Sequence, residues 1–156
     1  QTNQFEKIKF IIGDWSGTGS GFGNNKSKIE SSFQPVMDGN YIEVKNESWF
    51  EPTEHNPAGE HHLDKGFISY DNSRKLIILR AFYSEGYFNQ YVLNDSISTE
   101  NMLVFETEFI ENFVPNGKAK LTIRKISENE IETVFDVSFG NSYSCFGNNK
   151  LIKQQN

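Results

Sequence analysis

Glycine occupies alternate positions in a short stretch near the N-terminus, and this spacing constrains the fold more than any other feature of the sequence. The stretch reads Gly13-Asp14-Trp15-Ser16-Gly17-Thr18-Gly19-Ser20-Gly21. Alternate residues of an extended chain share a face, so glycines in phase leave one side of a strand without side chains. Such a strand is typical of a sharp bend, a barrel corner, or the close approach of a ligand or a second backbone.

Size and charge limit the classes of partner. The 156 residues fit one domain spanning residues 1–156, which is large enough to bury a core. A formal net charge of -6 disfavours a nonspecific grip on nucleic acid or anionic lipid. No stretch approaches the roughly 20 apolar residues of a membrane span. We therefore expect a small molecule as the partner, and the aromatic fraction of 14% suits a β-protein with an apolar pocket.

The order of elements predicts an all-β protein. Apolar residues at helical spacing predict a short helix or turn from Gln4 to Ile12, which must dock on the body of the protein and could plug one end. Ten β-rich segments separated by turn signals follow, and short links favour a single antiparallel up-and-down β-barrel of about ten strands. The predicted strands are Trp15 to Phe22, Lys28 to Pro35, Asn40 to Phe50, Glu60 to Tyr70, Lys75 to Tyr83, Tyr87 to Leu93, Met102 to Glu111, Lys118 to Ile126, Glu130 to Phe139 and Tyr143 to Lys153.

The alternation of residues indicates which faces are buried. In the late strands it is clear: Leu103, Phe105, Thr107 and Phe109 form an apolar face, with acidic residues between them. The segment 75–93 is apolar on both faces. Either the N-terminal segment covers its outer side, or that side is a homodimer interface.

Three histidines close together raise the question of a metal site. They are His55, His61 and His62, and the adjacent pair points to opposite faces of a strand, so we predict no metal site from them. His62 shares its face with Glu60 and Asp64. A carboxylate neighbour would raise the pKa of His62 and hold its tautomer.

Arg80 is the charge whose position matters most. If it shares a face with Leu76, Ile78 and Phe82 inside the barrel, its guanidinium needs a carboxylate or the acidic head group of a ligand. In the opposite register it is a surface residue whose stem lies along Phe82. On the hypothesis that Arg80 lies inside the barrel, we predict that the ligand-binding residues are His62, Arg80, Phe82, Asn89 and Tyr91.

Catalytic motifs and compartment signals are scarce. There is no nucleophile elbow, no zinc-protease motif and no phosphate loop, so we favour binding over catalysis.

The single Cys145 can form no internal disulfide. Because the sequence starts at Gln1 rather than Met, either a signal peptidase or the design of the expressed chain removed a segment, and we favour an extracytoplasmic location.

Several segments resemble known barrels. The Gly13-Asp14-Trp15 opening resembles calycins, the group that includes lipocalins and fatty-acid-binding proteins. The longer segment from Phe10 to Gly21 is similar to the first strand of nitrobindin-like haem-binding barrels. The middle of the chain looks like related uncharacterised bacterial barrels, from Gly59-Glu60-His61-His62 through Gly66-Phe67-Ile68-Ser69-Tyr70-Asp71 and on to Leu79-Arg80, Glu85-Gly86 and Asn89-Gln90-Tyr91-Val92-Leu93.

The resemblance has consequences for barrel closure and for haem. Lipocalins place a basic residue over this tryptophan, which implies Lys150 or Lys153 over Trp15, with Gly13, Gly17 and Gly19 shaping the closing strand; the contact is worth about 0.5–2 kcal/mol. Nitrobindins bind haem iron through a histidine near the C-terminus, and no histidine follows His62 here. Haem with that ligand is excluded, although His62, Tyr143 or Cys145 could replace it.

These observations predict a function. We expect the barrel interior to bind a small hydrophobic or amphipathic ligand, with no tightly bound cofactor. A haem protein with a non-standard axial ligand is the alternative.

Overall fold

Ten antiparallel strands close into one barrel in the computed structural model, which describes residues 3–21 and 26–155. A 3₁₀ helix, Glu6–Ile11, precedes the strands. In chain order, β1 to β10 are Gly13–Gly21, Lys26–Val36, Tyr41–Phe50, Glu60–Asp71, Leu76–Tyr83, Phe88–Leu93, Met102–Glu111, Lys118–Ser127, Glu130–Ser138 and Tyr143–Lys153. Neighbours in sequence pair, and β1 also pairs with β10. The predicted up-and-down barrel is confirmed; Phe22, the predicted end of β1, lies outside the described residues.

The N-terminal 3₁₀ helix fills one end of the barrel, which we call the closed end. Phe5, Ile8 and Ile11 are buried in the same core cluster as side chains from the strands around them. Trp15, at the start of β1, donates a hydrogen bond from Nε1 to the Ile11 carbonyl oxygen at 2.8 Å. The helix is too short to be stable alone, so this packing maintains it.

The glycines of β1 allow β10 to approach closely. Gly17 lies opposite Leu151, and a Cβ added at Gly17 would stand 1.9 Å from the Lys150 carbonyl oxygen. No side chain can occupy that space without moving a backbone. Of the two candidate lysines, Lys153 covers Trp15, with Nζ 5.6 Å from the ring centroid.

A β-bulge reverses the predicted orientation of Phe109. Gln90 pairs with Phe109 and Tyr91 with Thr107, so one extra residue of β7 stands between the two pairs. An inserted residue reverses the alternation beyond it. Phe105 is therefore inside and fully buried, whereas Phe109 is 54% exposed, contrary to the single apolar face predicted for β7.

The outer face of β5 to β7 carries an exposed aromatic cluster, which we define as Phe82, Phe88 and Phe109. The ring centroids of Phe82 and Phe88 are 4.8 Å apart, and those of Phe88 and Phe109 are 6.3 Å apart. The N-terminal 3₁₀ helix packs into the closed end and leaves this outer aromatic cluster uncovered. In the part of the chain described, no helix has the length and apolarity needed to span a membrane.

Candidate functional site

A cavity of about 290 Å³ occupies the barrel interior away from the closed end. Its lining includes the last residues of β3 and β5 and the first of β4, so it faces the opposite end of the barrel, which we call the open end. The loop of residues 51–59 and the hairpin of residues 84–87 lie there. Most of the wall is apolar and comes from alternate residues of several strands: Ile29, Phe33, Val44, Leu79, Ala81, Leu121, Ile123 and Phe135.

An interior carboxyl group is the principal polar feature of the cavity. Asp64 lines it, and Asn46 on the neighbouring strand donates from Nδ2 to Asp64 Oδ2 at 2.8 Å. Burial raises the pKa of Asp64 to about 7, helped by the negative charge of Glu85, while the Asn46 hydrogen bond acts in the opposite direction. Asp64 is therefore poised to gain or lose a proton, or to pair with a cation, near neutral pH.

Beside this carboxyl, two tyrosines and an asparagine form a hydrogen-bonded chain. The hydroxyl oxygens of Tyr83 and Tyr91 are 2.6 Å apart, and Asn89 donates from Nδ2 to the Tyr91 hydroxyl at 2.9 Å. Either hydroxyl group can donate in the Tyr83–Tyr91 hydrogen bond, and Tyr83, which lines the cavity, can donate to or accept from a ligand there. The buried Oδ1 of Asn89 has no partner among the described residues, and rotating the amide would only leave the nitrogen unpaired instead.

His62 connects two carboxylates at the open end. Its Nε2 is 2.9 Å from Glu60 Oε2, and its Nδ1 contacts Glu85 in the hairpin between β5 and β6. Desolvation lowers the pKa of His62, but the hydrogen bonds and charges of Glu60 and Glu85 outweigh it, so the net shift is upward. The cluster links the start of β4 to the hairpin and borders the cavity.

The structure separates the five predicted ligand-binding residues. His62 lines the cavity, and Asn89 and Tyr91 are buried inside the barrel, hydrogen-bonded to each other. Arg80 and Phe82 are on the outer face, a correction to the interior reading. Arg80 donates to Gln90 Oε1 at 3.0 Å and to Ser69 Oγ at 3.1 Å, and Phe82 is 62% exposed.

The phase of β5 explains this correction. Its inward residues are Ile77, Leu79, Ala81 and Tyr83, so the intervening residues, Arg80 among them, point outward. Both sets are largely apolar, and alternation alone could not choose between them.

The side chains available as haem ligands fit that group poorly. Both ring nitrogens of His62 are engaged by carboxylates. Tyr143 and Cys145 are exposed and lie outside the cavity lining. Within residues 3–21 and 26–155, no three or more His, Cys, Asp and Glu side chains are grouped to hold a metal ion.

Sequence reasoning missed the central role of Asp64 and Asn46. Asp64 is in phase with the buried residues Gly66 and Ile68 of β4, and that phase is the signal that could have identified it. The larger apolar residues Leu63 and Phe67 are in the opposite phase, which obscured the signal. The sequence analysis also missed Tyr83, because both faces of β5 are largely apolar and alternation alone could not identify the inward face.

Comparison with solved structures finds similar barrels at low sequence identity. Rv2717c from M. tuberculosis matches with a TM-score of 0.71 and 14% identity, over 97% of this chain and 98% of that chain. The S-type phycobiliprotein lyase CPES from Guillardia theta matches with a TM-score of 0.52 and 7% identity, over 100% and 99%. EF1p2_mFAP2b bound to DFHBI matches with a TM-score of 0.51 and 13% identity, over 97% and 99%.

These likenesses show a shared barrel fold. No family model and no curated protein matches the sequence.

Proposed function

We propose that this protein binds a small hydrophobic or amphipathic molecule inside its barrel. The observation that carries the proposal is the interior cavity of about 290 Å³, whose walls are mostly apolar and include a few converging polar groups. Ligand pockets in proteins have this composition, and their volumes begin near 300 Å³. Asp64, Asn46 and Tyr83 would orient the polar part of the ligand, while the aliphatic and aromatic walls would hold the rest.

Two of the proteins with similar structures support this proposal. One is bound to DFHBI, and the other is a phycobiliprotein lyase. In the first, a barrel of this kind accommodates a small molecule, which is the role that we propose for the present cavity.

Titration with an environment-sensitive fluorophore, followed by displacement with fatty acids and retinoids, tests the proposal. We expect saturable binding of the fluorophore with one site per barrel. Absence of saturable binding by every apolar probe would contradict the function. A haemin titration belongs in the same series, and we expect no Soret band dependent on His62, because both of its ring nitrogens are already engaged.

A cavity-filling variant separates interior binding from adhesion to the surface. Gly147 lines the cavity, and a Cβ added there meets nothing closer than Phe135 Cβ at 4.0 Å. Gly147→Leu should therefore place its side chain in the cavity and weaken probe binding at least tenfold, which is about 1.4 kcal/mol. The matched control is Arg80→Leu, which adds the same residue to the outer face and should leave affinity unchanged. Equal loss in both variants would place the probe elsewhere.

A further inference from the structure

Carboxylates outnumber basic side chains at the cavity. Asp64, Glu85 and His62 are its charged lining side chains, and no lysine or arginine of the described residues lines it. Glu47 also borders the cavity, but its carboxylate is paired with Lys45 and His61, so we do not count it. Glu60 adds another carboxylate behind His62. A protonated His62 offsets only one of these charges, so the cavity retains an excess of negative charge.

One carboxylate oxygen of Asp64, Oδ1, is available to accept a hydrogen bond from a ligand. Asn46 supplies a donor to Oδ2, and no donor among the described residues reaches Oδ1. An ionised carboxylate accepts hydrogen bonds at both oxygens. A donor carried by the ligand, and a charged donor above all, would complete this set.

Aromatic rings surround the same part of the cavity. Tyr83 and Tyr87 stack with centroids 4.5 Å apart, and Phe135 lies 6.3 Å from Tyr83. Burial, together with the charges of Glu85 and Asp64, raises the pKa of Tyr87 to about 12, so this ring stays uncharged at neutral pH. The faces of aromatic rings attract cations, including alkylammonium groups.

We propose that the cavity selects an apolar molecule with a cationic head group, an alkylammonium in the simplest case, which pairs with Asp64 beside Tyr83 and Tyr87. The selection rests on the proposed function, because it specifies which ligands the cavity accepts. A fatty acid would bring a second carboxylate to Asp64, and the one basic side chain of the described lining, His62, is already paired with Glu60 and Glu85. The Tyr83 hydroxyl offers such a ligand only a neutral donor.

Three ligands of one chain length test the selection. Decylammonium and decanoate, below their micellar concentrations, and decanol, below its solubility limit, compete with the uncharged probe N-phenyl-naphthylamine at neutral pH. We expect decylammonium to bind about tenfold more tightly than decanol, and decanoate to bind most weakly. If decanoate or decanol equals decylammonium, the selection is wrong and the proposed function stands. If neither the probe nor any ligand binds saturably, the proposed function itself fails.

Variants show whether Asp64 is the group responsible. Asp64→Asn keeps the shape and removes the charge, and it should reduce the ratio of decylammonium affinity to decanol affinity from about ten to about one. Asp38→Asn, in the β2–β3 turn at the closed end, removes a carboxyl group far from the cavity and controls for general attraction to an acidic protein. Unchanged preference in Asp64→Asn, or equal loss in both variants, would overturn the assignment. Should Asp64→Asn fail to fold, the ligand comparison on the unaltered protein decides.

Discussion

Asp64 combines an acidic group with an enclosed position, and its protonation must therefore affect stability. Its carboxyl group has a pKa of about 7 in the folded protein and an ordinary value of 3.8. Between these two values the folded protein holds the proton more strongly than the unfolded chain does. Stability should therefore fall as the pH rises through this window.

The prediction is that the wild-type protein loses on the order of 2 kcal/mol of Asp64-dependent stability between pH 5 and pH 8. Asp64→Asn cannot ionise and should lack this loss. Urea denaturation of both proteins across the range measures it. His62 also has a raised pKa, which contributes in the same direction, but it is present in both proteins and cancels in their difference. Parallel curves for the two proteins would show that Asp64 is not desolvated.

Trp15 is the residue that joins the N-terminal 3₁₀ helix to the sheet. It is 1% exposed and donates to the Ile11 carbonyl oxygen. Trp15→Phe keeps an aromatic ring but removes this donor and some buried volume, so we expect a loss of about 2–4 kcal/mol in the free energy of unfolding. Lys153→Met removes only the charge above the ring and should cost about 1 kcal/mol or less. Similar losses in the two variants would mean that the hydrogen bond is unimportant.

At the level of elements, β1 shows how a strand without side chains closes the barrel. Gly17 faces the backbone of Lys150, which cannot rotate away as a flexible side chain could. At Gly147, on β10, the space beside the backbone is open. Two glycines on neighbouring strands therefore have opposite roles: one permits close strand packing, and the other leaves volume for a ligand.

The corresponding prediction compares the same substitution at both positions. Gly17→Ala should destabilise the protein by at least about 2 kcal/mol, because the strands must separate. Gly147→Ala should change stability by less than about 0.5 kcal/mol. Thermal and urea unfolding of the two variants measure the difference, and a neutral Gly17→Ala would show that β1 and β10 have room to move apart.

For the whole molecule, the outer aromatic cluster raises the question of self-association. Phe82, Phe88 and Phe109 form a contiguous surface on three neighbouring strands. The sequence left two explanations for apolar residues on this side, and the N-terminal 3₁₀ helix does not supply the cover. Homodimerisation through the outer aromatic cluster stays a prediction.

Analytical ultracentrifugation at increasing protein concentration tests the predicted homodimerisation. If the prediction holds, the protein sediments as a dimer at tens of micromolar, and Phe82→Lys shifts it to monomer because burying the new charge is costly. Ile152→Lys, a change at another exposed apolar residue on β10, is the control and should leave the dimer intact. A monomer at every concentration would reject the prediction.

The sequence by itself determined the number of strands, their approximate ends, the antiparallel meander and the N-terminal helix. Turn residues and β-rich segments are local signals, so they could be read without knowing any long-range contact. The sequence also predicted closure of the barrel, because the alternate glycines leave one side of β1 without side chains and allow another strand to approach closely.

Only the tertiary structure decided which side of each central strand faces inward. In β5 both faces are apolar, and in β7 a bulge reverses the alternation, so local pattern placed Arg80, Phe82 and Phe109 on the wrong side. The register with neighbouring strands sets these orientations, and register depends on pairing between distant segments. Asp64 became the centre of the candidate site for the same reason: its partners Asn46 and Tyr83 are on adjacent strands that only the closed sheet brings together.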